Sequence, residues 1–496
     1  MKNLNKLFLV LILGLLVSCD DKLDINRNPN NPLEINAGLA LTSAEANLAA
    51  VMGGEWMNLG GFYAQYHTQS PSASQFENID SYNLNTIYAN TPYTQLYAGT
   101  LTDLKFVTDE SAAVNDTGTM LIAEALRAYT FQVLVDLFGD VPYTEAVKGT
   151  EGILTPIATP GAEIYADLIV KLDAAVAAYE ANPTEAEVGI QDVIYNGDID
   201  RWIQFINTLK LKMYIRMAYT PQANPAAVNA LIAENNFLTE DATFATFATS
   251  ANKRNPFFEV FLSQTGLGDV NHIASNTLFE FYNENEDPRV NAVYRTSISG
   301  ASAAIDQGTG NTFNNTATAY SRPNIGAQTP VFLLTVTESH FLKAEALIRY
   351  AAGSGAKVEY DAGVAASFDL YSTYFGLTGG VDAADLTGPG GAYEYVASTN
   401  VETAVRQVAI QKWAALPYVN NVESYIETTR TKYPEVVPFG SQDYSIGNRV
   451  PSALSVLAGT QVPSILFYPD DEVTRNPNIT QHTSLTQNVW WDQKPE

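Results

Sequence analysis

The chain has 496 residues and a formal net charge of −27, with 27 Lys and Arg against 54 Asp and Glu. So acidic a surface disfavours nucleic acid and anionic lipid, either of which needs many paired cations. The 46% hydrophobic content is enough for a substantial core, and the single cysteine, Cys19, can close no disulfide within the chain.

Lys2 and Lys6 precede an apolar run, 7–17, broken only by Gly14. This is the order of a secretory signal, and the run is shorter than a membrane-spanning helix needs. Leu16-Val17-Ser18 leads straight into Cys19, an order that resembles a bacterial lipobox, in which the cysteine is freed at its amino group and acylated. Residues 1–18 are therefore read as a lipoprotein signal and Cys19 as the lipid attachment point; several acyl chains anchor stably where one is marginal. A plain cleaved signal is the competing reading. A nucleophilic Cys19 is disfavoured because Asp20 and Asp21 raise its thiol pKa. Removal of 1–18 takes two lysines and moves the net charge from −27 to −29. Residues 19–36, with Asn and Pro alternating, read as a tether, and 37–496 as a single domain.

Apolar spacing at i, i+3 and i+4 predicts helices at 41–52, 93–113, 118–138, 160–181, 199–219, 222–236, 331–352, 360–376, 400–416 and 419–431. Thr159 is expected to cap the helix at 160–181 and Asp198 the one at 199–219. Four hairpins follow: 93–113 with 118–138, 160–181 with 199–219, 331–352 with 360–376, and 400–416 with 419–431. Paired helices in this number suggest an all-α solenoid of stacked hairpins. The long segments 53–92, 237–330, 377–399 and 432–496 read as an ordered, aromatic-rich loop face.

Several short stretches then carry a family resemblance. They are DLFGDVPYTEA at 136–146, GDIDRWIQFINTLKLKMYIRMA at 197–218, ESHFLKAEAL at 338–347, IQKWAAL at 410–416, ETTRTKYP at 427–434, LFYPDDEVTRNPN at 466–478 and VWWD at 489–492. In this order behind a lipobox they resemble the SusD/RagB family of surface lipoproteins. The resemblance implies an all-α fold of four tetratricopeptide-like hairpins with an irregular binding face. It also implies an outer-membrane, cell-surface location and a partner TonB-dependent transporter of SusC type, over which the protein acts as a lid. The ligand would be a glycan or, on the RagB side, an oligopeptide. Trp202, Trp413 and Trp490 within these stretches read as packing.

No catalytic pattern emerges from the four histidines: HExxH, G-x-S-x-G and a phosphate-binding G-x-x-x-x-G-K-[ST] loop are all missing. The expectation is a binding protein without cofactor. A surface glycosidase is the minority alternative, and a structural partner without a ligand of its own is a third. Asn196, Asp198 and Asp200 alternate at a spacing that could offer oxygens to calcium, but the helix cap is the better reading.

Sugars stack on aromatic faces while polar groups bond their hydroxyls. The expected ligand residues are therefore Trp56, Tyr63, Tyr66, His67, Phe76, Asp80 and Tyr82 in the stretch 56–88. Arg254 and Asn255, Asn271 and His272, and Tyr320 with Arg322 are secondary candidates. The competing reading is that these rings pack the loop onto the scaffold.

Overall fold

The computed structural model describes residues 35–495 except 72, 298, 301 and 310–318. The signal segment, Cys19 and the tether up to residue 34 lie outside the described residues. Met1–Asn36 and Ala37–Glu496 are separate units, and the second carries the fold. Its longer helices are α1 (Ala37–Met52), α2 (Glu55–Tyr63), α3 (Thr102–Val114), α4 (Thr117–Phe138), α5 (Gly161–Ala181) and α6 (Ile199–Arg216). They continue with α7 (Pro225–Glu234), α8 (Asn276–Glu284), α9 (Val336–Tyr350), α10 (Ala356–Tyr374), α11 (Val401–Ala415) and α12 (Asn421–Thr431). Among the described residues, strands form only two-stranded antiparallel pairs: β1 (His67–Gln69) with β5 (His272–Ala274), β2 (Val141–Pro142) with β3 (Ala158–Thr159), β4 (Ala242–Phe244) with β8 (Val331–Leu334), and β6 (Tyr294–Arg295) with β7 (Arg322–Pro323). The all-α expectation holds.

α3 folds back on α4, α9 on α10, and α11 on α12. The hairpin expected between 160–181 and 199–219 is looser, because α5 and α6 each lie mainly against α4. That is why α4 is buried around most of its circumference, whereas α5 buries only the stripe Ile164, Tyr165, Leu168, Ile169 and Leu172. Asp198 caps α6 by accepting from the Arg201 N–H, as expected. Among the described residues no group of three or more His, Cys, Asp or Glu is placed to hold a metal ion.

Three local expectations are corrected. Thr159 does not cap α5; Asp140, just beyond α4, accepts from the Gly161 N–H at 2.8 Å. Gly139, at φ +76°, turns the chain so that Asp140 can reach. Residues 331–334 are not helix but the wholly buried strand β8, and α9 starts after Thr335, whose hydroxyl accepts from the Glu338 N–H at 3.1 Å. Finally, 53–92 is not loop throughout. It contains α2, which lies against α12 so closely that a Cβ on Gly60 would sit 2.3 Å from the Asn421 backbone.

The scaffold is tied together by a buried ion-pair network. Arg216 of α6 donates to Asp136 of α4 and to Glu423 and Glu427 of α12. Lys212 and Lys412 share Glu338 and Glu423. Arg430 forks onto Glu345 of α9, at 2.7 and 2.8 Å, and Arg349 joins the same carboxylate. Burial pushes the Glu423 carboxyl up, but Arg216, Lys212 and Lys412 together outweigh it and hold the pKa at about 2. Trp491 Nε1 donates to Asp136 at 2.8 Å. Six of the motifs that carry the resemblance thus meet at one place: each supplies a charge or a donor to this network.

Candidate functional site

The loop face rests on a buried floor, and the expected ligand residues turn out to be that floor. Trp56, Tyr63, Tyr66, His67, Phe76, Asp80, Tyr82, Asn271, His272, Tyr320 and Arg322 are all buried. As a ligand surface the 56–88 stretch is therefore corrected: in this structure none of these side chains is open to a glycan. Tyr66 donates its hydroxyl to the Trp413 carbonyl at 2.5 Å. Tyr63 packs edge-on to both Tyr82 and Tyr425. Trp56 packs on Phe138.

His67 and His272 meet edge-to-face at 4.7 Å, walled by Phe62, Phe76, Phe257 and Phe261. Burial lowers the His67 pKa to about 3 and pushes His272 well down too, so both rings are neutral. The His272 Nε2 lies 2.6 Å from Asn58 Oδ1. Asp80 is a second anchor. It accepts from Thr68 Oγ1 at 2.8 Å, from the Gln69 N–H at 3.1 Å and from Gln307 Nε2. Burial raises its pKa to about 6 in spite of these bonds.

What this floor supports is open. A cleft of about 430 Å³ lies on the loop face, with Arg254, Phe258, Leu262, Thr265, Asp269 and Arg295 among its walls. Phe257 and Phe261 point inward to the histidines, while half-buried Phe258 faces the cleft. The segment Phe258–Leu262 is wound as a π-helix, a conformation frequent at functional sites. Asn255 (buried, so not a ligand residue) fixes this segment by accepting from the Phe258 N–H at 3.1 Å and donating to the Thr329 carbonyl at 2.9 Å. Arg254 lies over the Phe258 ring at 6.0 Å and donates to the Thr249 carbonyl and to Thr265 Oγ1. Across the cleft Asp269 receives Arg295, and Arg322 Nη1 at 2.6 Å.

Of the expected residues, then, Arg254 lines this cleft and Arg322 stands one carboxylate behind it. Phe258, Asp269 and Arg295 were missed. The sequence signal was NKRNPFF at 252–258: cations are scarce in this chain, and two adjacent ones beside paired rings in a loop are unusual for it. A larger cleft, about 570 Å³, opens between α3, α4 and α5. Six of its charged side chains are matched to each other as Lys105–Asp109, Arg127–Glu124 and Lys171–Asp167, while Lys148 and Glu163 also line it.

A helical scaffold that carries a loop face with an aromatic, polar-rimmed cleft offers a place for a small ligand. The chain belongs to the SusD-like family described as starch-binding and associating with the outer membrane, whose model matches residues 29–455. Solved structures share the fold. A SusD homologue from Bacteroides fragilis superposes with a TM-score of 0.73 at 19% identity, covering 93% of this chain and 100% of that one. A SusD/RagB family protein from Bacteroides thetaiotaomicron gives 0.72 at 19%, with 93% and 100% covered. A chitin-binding protein gives 0.72 at 20%, with 92% and 100% covered. No protein of curated function matches the chain. Among the described residues no helix is long and apolar enough to cross a membrane.

Proposed function

We propose that the protein is a cell-surface lipoprotein, held in the outer membrane through Cys19, that captures an oligosaccharide and delivers it as a lid to a TonB-dependent transporter of SusC type. The observation that carries this is the loop-face cleft. Half-buried Phe258 offers a ring for a sugar to stack on, and Arg254, Arg295 and Thr265 surround it with hydrogen-bonding groups suited to hydroxyls. Capture and release need no catalytic group, in keeping with a family of binding proteins. A solved relative of the same fold is named for binding chitin, itself a glycan.

The test is a binding screen of the full chain against oligosaccharides, repeated with Phe258→Ala. A hit weakened about tenfold or more by that change supports the reading, an aromatic stack being worth about 1–3 kcal/mol in comparable base-stacking sites. A chain that binds peptides and no saccharide would sink it. Co-purification in mild detergent tests the transporter. Cys19→Ala should leave the helical unit folded but release it from membrane fractions.

A further inference from the structure

The cleft reverses the sign of the protein. The chain carries −27, yet Arg254, Arg295 and Arg322 converge here, with exposed Lys253 next in sequence, against only Asp269 and Glu259. The strand pair β6–β7 sets Arg295 directly opposite Arg322, an arrangement of like charges that costs energy unless something negative lies between them. Asp269 supplies one such charge, bonded by both guanidinium groups. One carboxylate cannot neutralise two arginines. Arg322 is buried, and its Nε and Nη2 find no hydrogen-bond partner among the described residues. Its charge, countered only by the Asp269 carboxylate that it shares with Arg295, therefore lies just behind the cleft wall, where low-dielectric surroundings screen it weakly. Arg295 is the outward member of the pair. Its side chain is 42% exposed and lines the cleft, with Nη2 the nitrogen paired to Asp269. Arg254, 20% exposed, stands on the other side against the Phe258 ring; its Nε and Nη1 already donate to the Thr249 carbonyl and Thr265 Oγ1, and Glu259 pairs with it loosely at 3.6 Å, so part of its fork is left for a ligand.

We propose that the cleft selects an anionic saccharide: a sugar ring stacked on Phe258 whose carboxylate or sulfate group is received by Arg295 and Arg254. This rests on the oligosaccharide-binding reading above and narrows its substrate class. Guanidinium forks match planar carboxylates and sulfate oxygens two bonds at a time, which a neutral hydroxyl cannot reproduce. A field of one sign inside a protein of the other also draws anions to this face in preference to the rest of its surface.

The test uses the full chain and three oligosaccharides of equal length: a uronate, a sulfated galactan and a neutral glucan, measured by calorimetry at low and high salt. The expected result is at least about tenfold tighter binding of one or both anionic sugars than of the glucan, weakening as salt rises. Arg295→Gln and Arg254→Gln should each lower anionic-sugar affinity about tenfold or more with unchanged melting temperature, each losing a charge-assisted bond. The uronate and sulfate arms tell the two anions apart. Equal or better binding of the glucan, indifferent to salt and to both variants, overturns this inference and leaves the oligosaccharide reading standing. Binding of no saccharide at all overturns both.

Discussion

Arg216 and Asp136, both buried, meet at 3.0 Å where α6 crosses the end of α4. Burial pushes the Asp136 carboxyl up and Arg216 pulls it back, so the pair is held by its geometry and by the Tyr165 and Trp491 donors around it. Arg216→Met should cost about 3–5 kcal/mol, because Asp136 is left buried without a cation and Glu423 and Glu427 keep only Lys212, Lys412 and Arg430. Urea unfolding at unchanged slope reads the loss. A change under about 1 kcal/mol would mean the network is incidental to stability.

Asp80 should work against the fold at neutral pH. Its pKa is raised from 3.8 to about 6, so the folded state binds its proton more tightly than the unfolded chain does. The stability it contributes is complete below pH 3.8 and is lost as pH rises through about 6, with a slope of up to about 1.4 kcal/mol per pH unit. Asp80→Asn should remove that slope and stabilise the protein at neutral pH. Lower stability of the variant at neutral pH would show that the carboxylate is preferred there.

His67 and His272 have the opposite sign. Burial holds His67 down from 6.5 to about 3, so the stability it contributes is present above pH 6.5 and is lost as pH falls towards 3. His272 is lowered in the same direction by burial and by its neighbour. Wild-type protein should therefore weaken on acidification, and His67→Gln should flatten that fall by up to about 1.4 kcal/mol per pH unit. Chemical unfolding between pH 4 and 7 gives the comparison (the range is about that of the two histidines' titration in the unfolded chain). An acid slope unchanged in the variant would rule out His67 as a contributor.

Trp56→Ala and Phe258→Ala should separate floor from site. Trp56 is wholly buried, and its truncation is expected to cost about 3–5 kcal/mol. Phe258→Ala should affect ligand affinity far more than melting temperature. Thermal unfolding and binding measured on both variants decide the matter, and the reverse pattern would return the 56–88 stretch to the binding surface.

The helices were legible because each writes its own signal locally: an apolar stripe, and caps such as Asp198 within reach of their own first turn. The floor was not. A tyrosine or histidine in a loop looks the same whether it faces water or core, and here the deciding partners are remote in sequence: His67 stacks with Tyr418, and Tyr63 packs edge-on to Tyr425. Arg254 was visible because it sits beside the ring it serves. Arg295 was invisible because its place depends on the β6–β7 register, and two-residue strands leave no alternation to read.

The buried network also bears on the order in which the scaffold can form. Asp136, Lys212 and Arg216 belong to the first half of the chain, and their partners Glu338, Glu423 and Glu427 to the second. Until α12 arrives, the early helices hold two cations and one anion at a place that must become dry. A nascent or truncated chain ending before α9 is therefore expected to stay hydrated and protease-sensitive along the α4–α6 contact, and the complete chain to unfold in one cooperative step. Limited proteolysis of a chain stopped at residue 330 is the comparison that exposes it: protection equal to that of the full chain would show that the early helices close without their distant counter-charges.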